Sequence, residues 1–231
     1  TYHALQLTAD RRFAKGFTLL VNYQWSKAID DASATKLTGQ ARTNPFDARF
    51  DKGPANFDKT HVFNLSGLYE LPFRVENPAK WLINGWSLNV IGALSTGAPF
   101  TVTSGVDNAR TGTGGQRADM IGDPDLGDRT RGEQIAQYLN KAAFGPNALG
   151  TFGTLGRNTF RDPGYASWDF GLFKRFALRE NIGLTYRFEA FNAFNRPNLN
   201  GPNTTQNNVN FMKITSALDT RILQMALRLN W

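Results

Sequence analysis

The sequence predicts an all-β protein, an antiparallel transmembrane β-barrel fragment with short periplasmic turns and long extracellular loops. Three observations favour this fold. Apolar and polar residues alternate along about seven segments, and such alternation places them on opposite faces of strands. The connections between the segments are short and long in turn. Aromatic residues make up 13% of the chain and concentrate near the ends of the segments.

Six of the segments precede the C-terminus. They are residues 2–10, 17–26, 61–71, 85–96, 167–176 and 181–190. Each shows a period of two over most of its length, which indicates a strand with one apolar face. A short helix is predicted at residues 133–141, and a further stretch of strand at residues 211–214.

The seventh segment, residues 221–231, alternates most clearly. Its apolar face holds Leu223, Met225, Leu227, Leu229 and Trp231, and its other face holds Gln224, Ala226, Arg228 and Asn230. Alternation alone does not distinguish a half-buried soluble strand from a barrel strand that faces lipid. The aromatic ending resembles that of bacterial outer-membrane barrels. That resemblance implies that the five apolar residues are a membrane-assembly signal read by the barrel assembly machinery.

The lengths of the connections favour the membrane fold. The short connections are residues 11–16, 72–84 and 177–180, and the long ones are residues 30–58, 97–166 and 191–220. Loops longer than about 15 residues are uncommon in compact domains. Strict alternation of short turns and long loops is typical of outer-membrane barrels, whereas a soluble sandwich has no reason to place every long loop at one end.

Aromatic residues then form two predicted girdles. With the short turns in the periplasm, the inner girdle comprises Phe17, Tyr69, Trp86 and Phe176, and the outer girdle comprises Tyr23, Trp25 and Trp168. Amphipathic rings prefer the two membrane–water interfaces. The polar faces would then line a lumen, and Arg187, Glu189, Gln224 and Arg228 are the candidate lumen-facing residues. Mutual ion pairing or contact with a plug is the role we expect for them.

Composition narrows the function. The chain has 231 residues and no cysteine, which excludes a disulfide framework and a thiolate metal site. The net charge of +7 is spread along the sequence, so no nucleic-acid partner is predicted. No apolar run approaches the roughly 18 residues that a membrane helix needs. No signal peptide opens the sequence, and barrels normally have even strand numbers, so we expect a fragment preceded by further strands.

No catalytic or cofactor site is predicted, and the chain is not expected to be an enzyme. His3 and His61 are its histidines, and no nucleophile motif accompanies them. Residues 123–128 contain three aspartates but lack the spacing of a calcium loop, so a polar turn is favoured. Residues 112–115 are glycine-rich but lack the lysine of a phosphate-binding loop. We therefore expect neither a metal nor a cofactor.

The sequence resembles the C-terminal part of the barrel of TonB-dependent outer-membrane receptors, and most closely the Oar-like subgroup. The resemblance lies in residues 49–54, 57–63, 69–73, 85–86, 152–158, 163–165, 168–169, 172–174, 187–198, 214–217 and 221–231. The stretch 187–198, Arg-Phe-Glu-Ala-Phe-Asn-Ala-Phe-Asn-Arg-Pro-Asn, is the most specific of these.

The resemblance implies a barrel of about 22 strands with an N-terminal plug. It implies energy-coupled uptake of a scarce solute through the TonB complex at the bacterial outer membrane. Residues 1–231 would be the C-terminal part of the barrel domain, without the plug, the TonB-contacting box or the earlier strands. The solute stays open between a siderophore, cobalamin, a glycan and a peptide. Two alternatives remain: a secreted β-sandwich that binds carbohydrate or protein, and a passive porin or adhesin barrel.

Overall fold

The computed structural model describes residues 1–33, 43–44, 46–47, 49–112, 116–179 and 182–231. Its strands are β1 (Tyr2–Ala14), β2 (Phe17–Asp30), β3 (Gly53–Pro54), β4 (His61–Glu70), β5 (Trp86–Ser95), β6 (Pro99–Phe100), β7 (Asp119–Met120), β8 (Phe144–Gly145), β9 (Phe160–Arg161), β10 (Tyr165–Arg179), β11 (Ile182–Phe191) and β12 (Ile222–Asn230). The seven long strands coincide with the seven predicted segments. They form one antiparallel sheet in the order β1-β2-β4-β5-β10-β11-β12.

The strand register places all apolar faces on one side of this sheet. Leu7 lies opposite Tyr23, Tyr23 opposite Phe63, and Phe63 opposite Leu94. The polar row beside it runs through Thr8, Asn22 and Asn64. Because side chains alternate strictly along strands, one matched row fixes the sidedness of the whole sheet. We call the two sides the apolar face and the polar face.

The sheet is open among the described residues, since β1 and β12 lie at its two edges. No second large sheet covers it there: the remaining pairs, β6–β9 and β7–β8, have two strands each and lie in the long connections. Large apolar side chains therefore stay exposed, such as Met225 at 69% and Leu227 at 69%. A β-sandwich would bury this face against a second sheet, so the sandwich alternative is wrong.

The short connections meet at one end of the sheet, and two are tighter than predicted. β1 continues to Ala14 through a register irregularity after Arg11, so the predicted turn 11–16 narrows to Lys15 and Gly16. Both have positive φ, 54° and 78°. A two-residue hairpin turn needs such angles to match the right-handed twist of the strands that it joins. β10 likewise continues to Arg179, into the predicted turn 177–180. Residue 180 of that turn and residue 181 of the next predicted strand lie outside the described residues.

Two α-helices interrupt the connections in the described part of the chain. Helix α1 (Lys80–Ile83) lies between β4 and β5 and was not predicted. Helix α2 (Arg131–Ala136) begins two residues before the predicted helix 133–141 because Thr130 and Glu133 form a capping box. A 3₁₀ turn, Lys141–Ala143, follows it. Neither of these described helices has the length and apolar character needed to cross a membrane.

The three long connections pack together at the other end of the sheet and form what we call the loop cap. The cap comprises the described parts of residues 31–60, 96–164 and 192–221. It has its own hydrophobic core, made of Phe100, Val102, Ala118, Ala143, Phe144, Leu155, Phe211 and Met212. The predicted strand 211–214 is wrong: Phe211 makes one isolated bridge with Asn203, and Met212 has a φ of 57°. These residues are apolar because they fill the cap core.

Candidate functional site

The four candidate lumen residues lie together on the polar face of β11 and β12. Glu189 is directly opposite Gln224, and Arg228 is opposite Thr185. The Arg187 guanidinium is 2.7 Å from the Glu189 carboxylate, so these two of the four residues form an ion pair. Arg187 is 42% exposed and makes this contact at an open surface, where such a pair contributes little stability.

A cavity of about 940 Å³ opens on the polar face at the short-turn end. Four arginines line it: Arg74, Arg175, Arg187 and Arg228. Glu70 and Glu76 are the carboxylates among its described lining residues. This end of the polar face is therefore electropositive and attracts anionic groups. Sequence reasoning missed Arg74 and Arg175, although the period of two in β10 already places Arg175 beside Phe173 on the polar face.

Arg157 joins two of the long connections at the centre of the loop cap. It is 9% exposed, and its Nη1 donates to the backbone oxygens of Asp30 and Asp51, both at 3.0 Å. Its Nη2 contacts the Asp30 carboxylate at 2.7 Å and also donates to the Ser33 hydroxyl. One guanidinium thus fastens the second long connection to the end of β2 and to the first long connection.

A second buried arginine, Arg117, reinforces the same junction. Its side chain is 3% exposed, lies 3.8 Å from the Asp51 carboxylate and donates to the Phe50 oxygen at 2.9 Å. The guanidinium also covers the Phe50 ring at 3.7 Å from its centroid. Burial lowers the pKa of Arg117, while Asp51 opposes that shift and Arg157 adds to it.

Asp58 fixes the corner where the cap meets β2. Its carboxylate accepts the Ala28 N–H at 2.6 Å and pairs with Arg161. It does not bind His61, whose Nδ1 instead lies 2.8 Å from the Tyr23 hydroxyl. Asp58 therefore serves as a hydrogen-bonded corner between the first long connection and β2.

Asp162 and Tyr138 are two cap residues whose pKa values are raised by burial. Burial raises the pKa of Asp162. Burial, with Asp162 as a smaller cause, raises the pKa of Tyr138, whose hydroxyl donates to the Arg161 oxygen at 2.9 Å.

The predicted polar turn at residues 123–128 uses its carboxylates locally. Asp123 accepts the Asp125 N–H at 2.9 Å, and Asp125 accepts the Gly127 N–H at 2.9 Å. Within the described residues, no three His, Asp or Glu side chains are grouped closely enough to hold a metal. Of the glycine-rich stretch 112–115, residues 113–115 lie outside the described residues.

The girdle residues occupy both ends of the apolar face. Phe17 and Tyr69 pair at the short-turn end, with ring centroids 6.0 Å apart. Four other positions follow the register: Trp86 and Phe176 lie at the same end, and Tyr23 and Trp25 lie towards the cap. Trp168 lies opposite Gly92 on the same face. Its ring packs over this glycine, and a Cβ added to Gly92 would lie 2.6 Å from the ring.

The proposed assembly-signal residues lie on the exposed apolar face of β12 and just beyond it. Leu223, Met225, Leu227 and Leu229 are 50% to 69% exposed, and Trp231, which follows β12, is 90% exposed. β12 runs from the cap towards the short-turn end, because Asn230 lies opposite Gly183. A row of exposed apolar side chains on an edge strand would aggregate in water, so it needs lipid beside it.

A family model described as an outer membrane beta barrel domain matches residues 1–224. The chain belongs to this outer membrane β-barrel family. The comparisons with curated proteins and with solved structures found no match. Membership explains the single antiparallel sheet, its exposed apolar face and its low helix content. The protein is located in the bacterial outer membrane, and its apolar face meets lipid.

Proposed function

We propose that this outer-membrane barrel chain is the C-terminal barrel part of a TonB-dependent receptor that takes up a scarce solute with energy supplied from the inner membrane. The motifs at residues 187–198 and 152–158 support this reading through their resemblance to such receptors. The open sheet supports it as well, because unpaired strand edges have no hydrogen-bonding partner in lipid and call for further strands.

The observation that carries the proposal is the loop cap. Its core and its buried Arg157 and Arg117 contacts make it a folded layer at the long-loop end of the sheet. A passive porin needs an open mouth, whereas a receptor for a scarce solute needs a preorganised surface that holds the solute first. A folded cap suits capture at the cell surface followed by gated entry.

The proposal includes specific partners and no catalytic step. Outer-membrane lipid surrounds the barrel, the TonB complex acts through the N-terminal part of the receptor, and one small solute passes along the polar face. The barrel assembly machinery recognises β12 and Trp231. We propose no enzymatic activity, because no nucleophile motif accompanies the two histidines.

Uptake by cells producing the complete receptor tests energy coupling. A labelled ferric siderophore, cobalamin, an oligosaccharide and a peptide would be supplied one at a time. We expect one of them to accumulate, and accumulation to stop when TonB is deleted or the proton gradient is collapsed. A solute that enters equally fast without TonB would identify a passive porin and contradict the proposal.

Assembly has its own test. Trp231→Ala should lower the amount of heat-modifiable, folded barrel in the outer membrane, because the aromatic residue beyond β12 is part of the proposed recognition signal. Trp81→Ala is a matched control, since Trp81 is also an exposed tryptophan, at 48%, but lies in a short connection. Equal amounts of folded protein for wild type and Trp231→Ala would contradict the assembly role.

A further inference from the structure

One lysine lies on the apolar face of β10. Lys174 is the cross-strand neighbour of Trp86 and shares its face with Leu172 and Phe176. It is 2% exposed, although charged side chains on a lipid-facing surface are costly. A buried lysine on this face therefore needs a specific structural or functional reason.

The contacts of Lys174 show how its ammonium group is accommodated. Its Nζ lies 5.4 Å from the centroid of the Trp86 ring and 5.0 Å from that of the Phe176 ring. The ammonium donates to the backbone oxygen of Asn84, which precedes the first residue of β5. The side chain thus runs towards the short-turn end of the sheet, the direction of the periplasmic interface. An ammonium has three donors, and this is its one hydrogen bond among the described residues.

Helix α1 covers the same end of the sheet and is held there firmly. The Trp86 Nε1 donates to the Leu82 oxygen at 2.7 Å. Gly85, at a φ of +79°, allows the backbone to approach so closely that an added Cβ would lie 2.7 Å from the Arg175 oxygen. The helix nevertheless leaves Trp81 48% and Leu82 73% exposed. A fixed helix with exposed apolar side chains at the level of the inner girdle is suited to the membrane interface.

A cavity of about 440 Å³ lies between α1 and β10. Lys80 and Lys174 both line it, together with Trp81, Asn84 and Phe176. No carboxylate is present among the described residues that line it. Its volume lies in the usual range for small-molecule sites, about 300–1,000 Å³. The site therefore combines two lysines with an apolar wall, and Arg175 also lines it.

We propose that this cavity binds the phosphate headgroup of a phospholipid from the periplasmic leaflet of the outer membrane. Lys174 and Lys80 hold the phosphate oxygens, and Trp81, Leu82 and Phe176 contact the first part of the acyl chains. The exposed apolar wall selects a lipid over free phosphate. The two ammonium groups favour phosphatidylglycerol, which has a net negative charge, over phosphatidylethanolamine.

Native mass spectrometry of the protein extracted from outer membranes tests the proposal. The protein would be mixed with detergent micelles containing phosphatidylglycerol, phosphatidylethanolamine or diacylglycerol, which has no phosphate. We expect a retained adduct with phosphatidylglycerol, a weaker one with phosphatidylethanolamine and none with diacylglycerol. Free glycerol phosphate at the same concentration should not displace the lipid; displacement would show a site for soluble phosphate and overturn the proposal.

Variants then assign the adduct to this cavity. Lys174→Gln should weaken retention of phosphatidylglycerol about tenfold, because it removes a charge-assisted hydrogen bond. Lys80→Ala should weaken it about fivefold, and since Lys80 is exposed on α1 this variant should fold even if Lys174→Gln does not. Lys15→Asn is the control, an exposed lysine in another short turn, where Asn tolerates the φ of 54°. Unchanged retention in Lys80→Ala, or equal losses in all three variants, would overturn the proposal.

Discussion

The loop cap buries its large apolar side chains, whereas the strand sheet exposes them. Met212, in the cap, is 0% exposed, while Met225, in β12, is 69% exposed. The core cluster of the described residues lies in the cap, in segments that make only short strands and turns. The small residues Ala28, Ala166 and Ala190 are the buried apolar residues of the long strands.

The difference follows from the solvent that each region meets. The cap faces water, so it must bury its apolar side chains and pair its buried charges internally. The apolar face of the sheet meets lipid, which is as apolar as a leucine side chain, so exposure there has little cost. The sheet instead depends on complete strand pairing, because a backbone group without a partner is expensive in lipid.

The largest effect we expect comes from the junction of the cap. Arg157→Ala should destabilise the cap by about 3–5 kcal/mol, because removing one partner of a buried ion pair leaves the other uncompensated. Proteinase K on intact cells should cut the long connections much faster, while heat-modifiable migration shows that the barrel stays folded. Arg131→Ala, an exposed arginine on α2, is the control. If both variants resist the protease equally, Arg157 does not hold the cap together.

The two methionines give a matched pair across the two regions. Met212→Ala should cost the cap about 2–5 kcal/mol, since it opens a cavity in a filled core. Met225→Ala should cost the barrel less than about 1 kcal/mol, because lipid tails occupy the space that the side chain leaves. Protease resistance measures the cap variant, and urea-induced unfolding in lipid vesicles measures the barrel variant. A larger cost at Met225 would reverse the comparison.

The strands of the sheet were predictable from the sequence, whereas the hydrophobic core of the cap was not. Alternation in β12, and in β2 and β4, is a local property of each strand, so its period was readable from the residues alone. The seven strands and their single antiparallel sheet were therefore predictable. Phe211 and Met212 were wrongly assigned to a strand because a short apolar run does not reveal whether it fills a core or extends a sheet.

The contacts of the cap join residues that are far apart in the sequence. Arg157 reaches Asp30 across 127 positions, and Arg161 reaches Asp58 across 103. No local pattern marks such a pair, although residues 152–158 belonged to the family resemblance. The Thr130–Glu133 capping box, by contrast, was visible in the sequence and would have placed the start of α2 correctly.

The smallest expected effect concerns Asp162. Its raised pKa means that the folded cap binds its proton more tightly than the unfolded chain does, so the cap gains stability as the pH falls from 7 towards about 4. Asp162→Asn should stabilise the cap at pH 7 by at most about 1 kcal/mol, since solvent partly screens the half-buried carboxylate. That advantage should shrink on acidification. Hydrogen exchange of the amide of Asp162, which donates to the Ala98 oxygen, reports the effect; an advantage that grows as the pH falls would contradict the assignment.

The sidedness of the sheet is the central claim, and spin labelling of β4 tests it most directly. The chain has no cysteine, so single cysteines can be placed at Phe63, Asn64, Leu65 and Ser66 without background labelling. In membranes, labels at Phe63 and Leu65 should be accessible to dissolved oxygen, and labels at Asn64 and Ser66 to a water-soluble nickel complex. Opposite phases with a period of two would support a sheet with lipid on one side and water on the other. Labels at Phe63 and Leu65 that neither reagent reaches would show a protein-buried apolar face and contradict it.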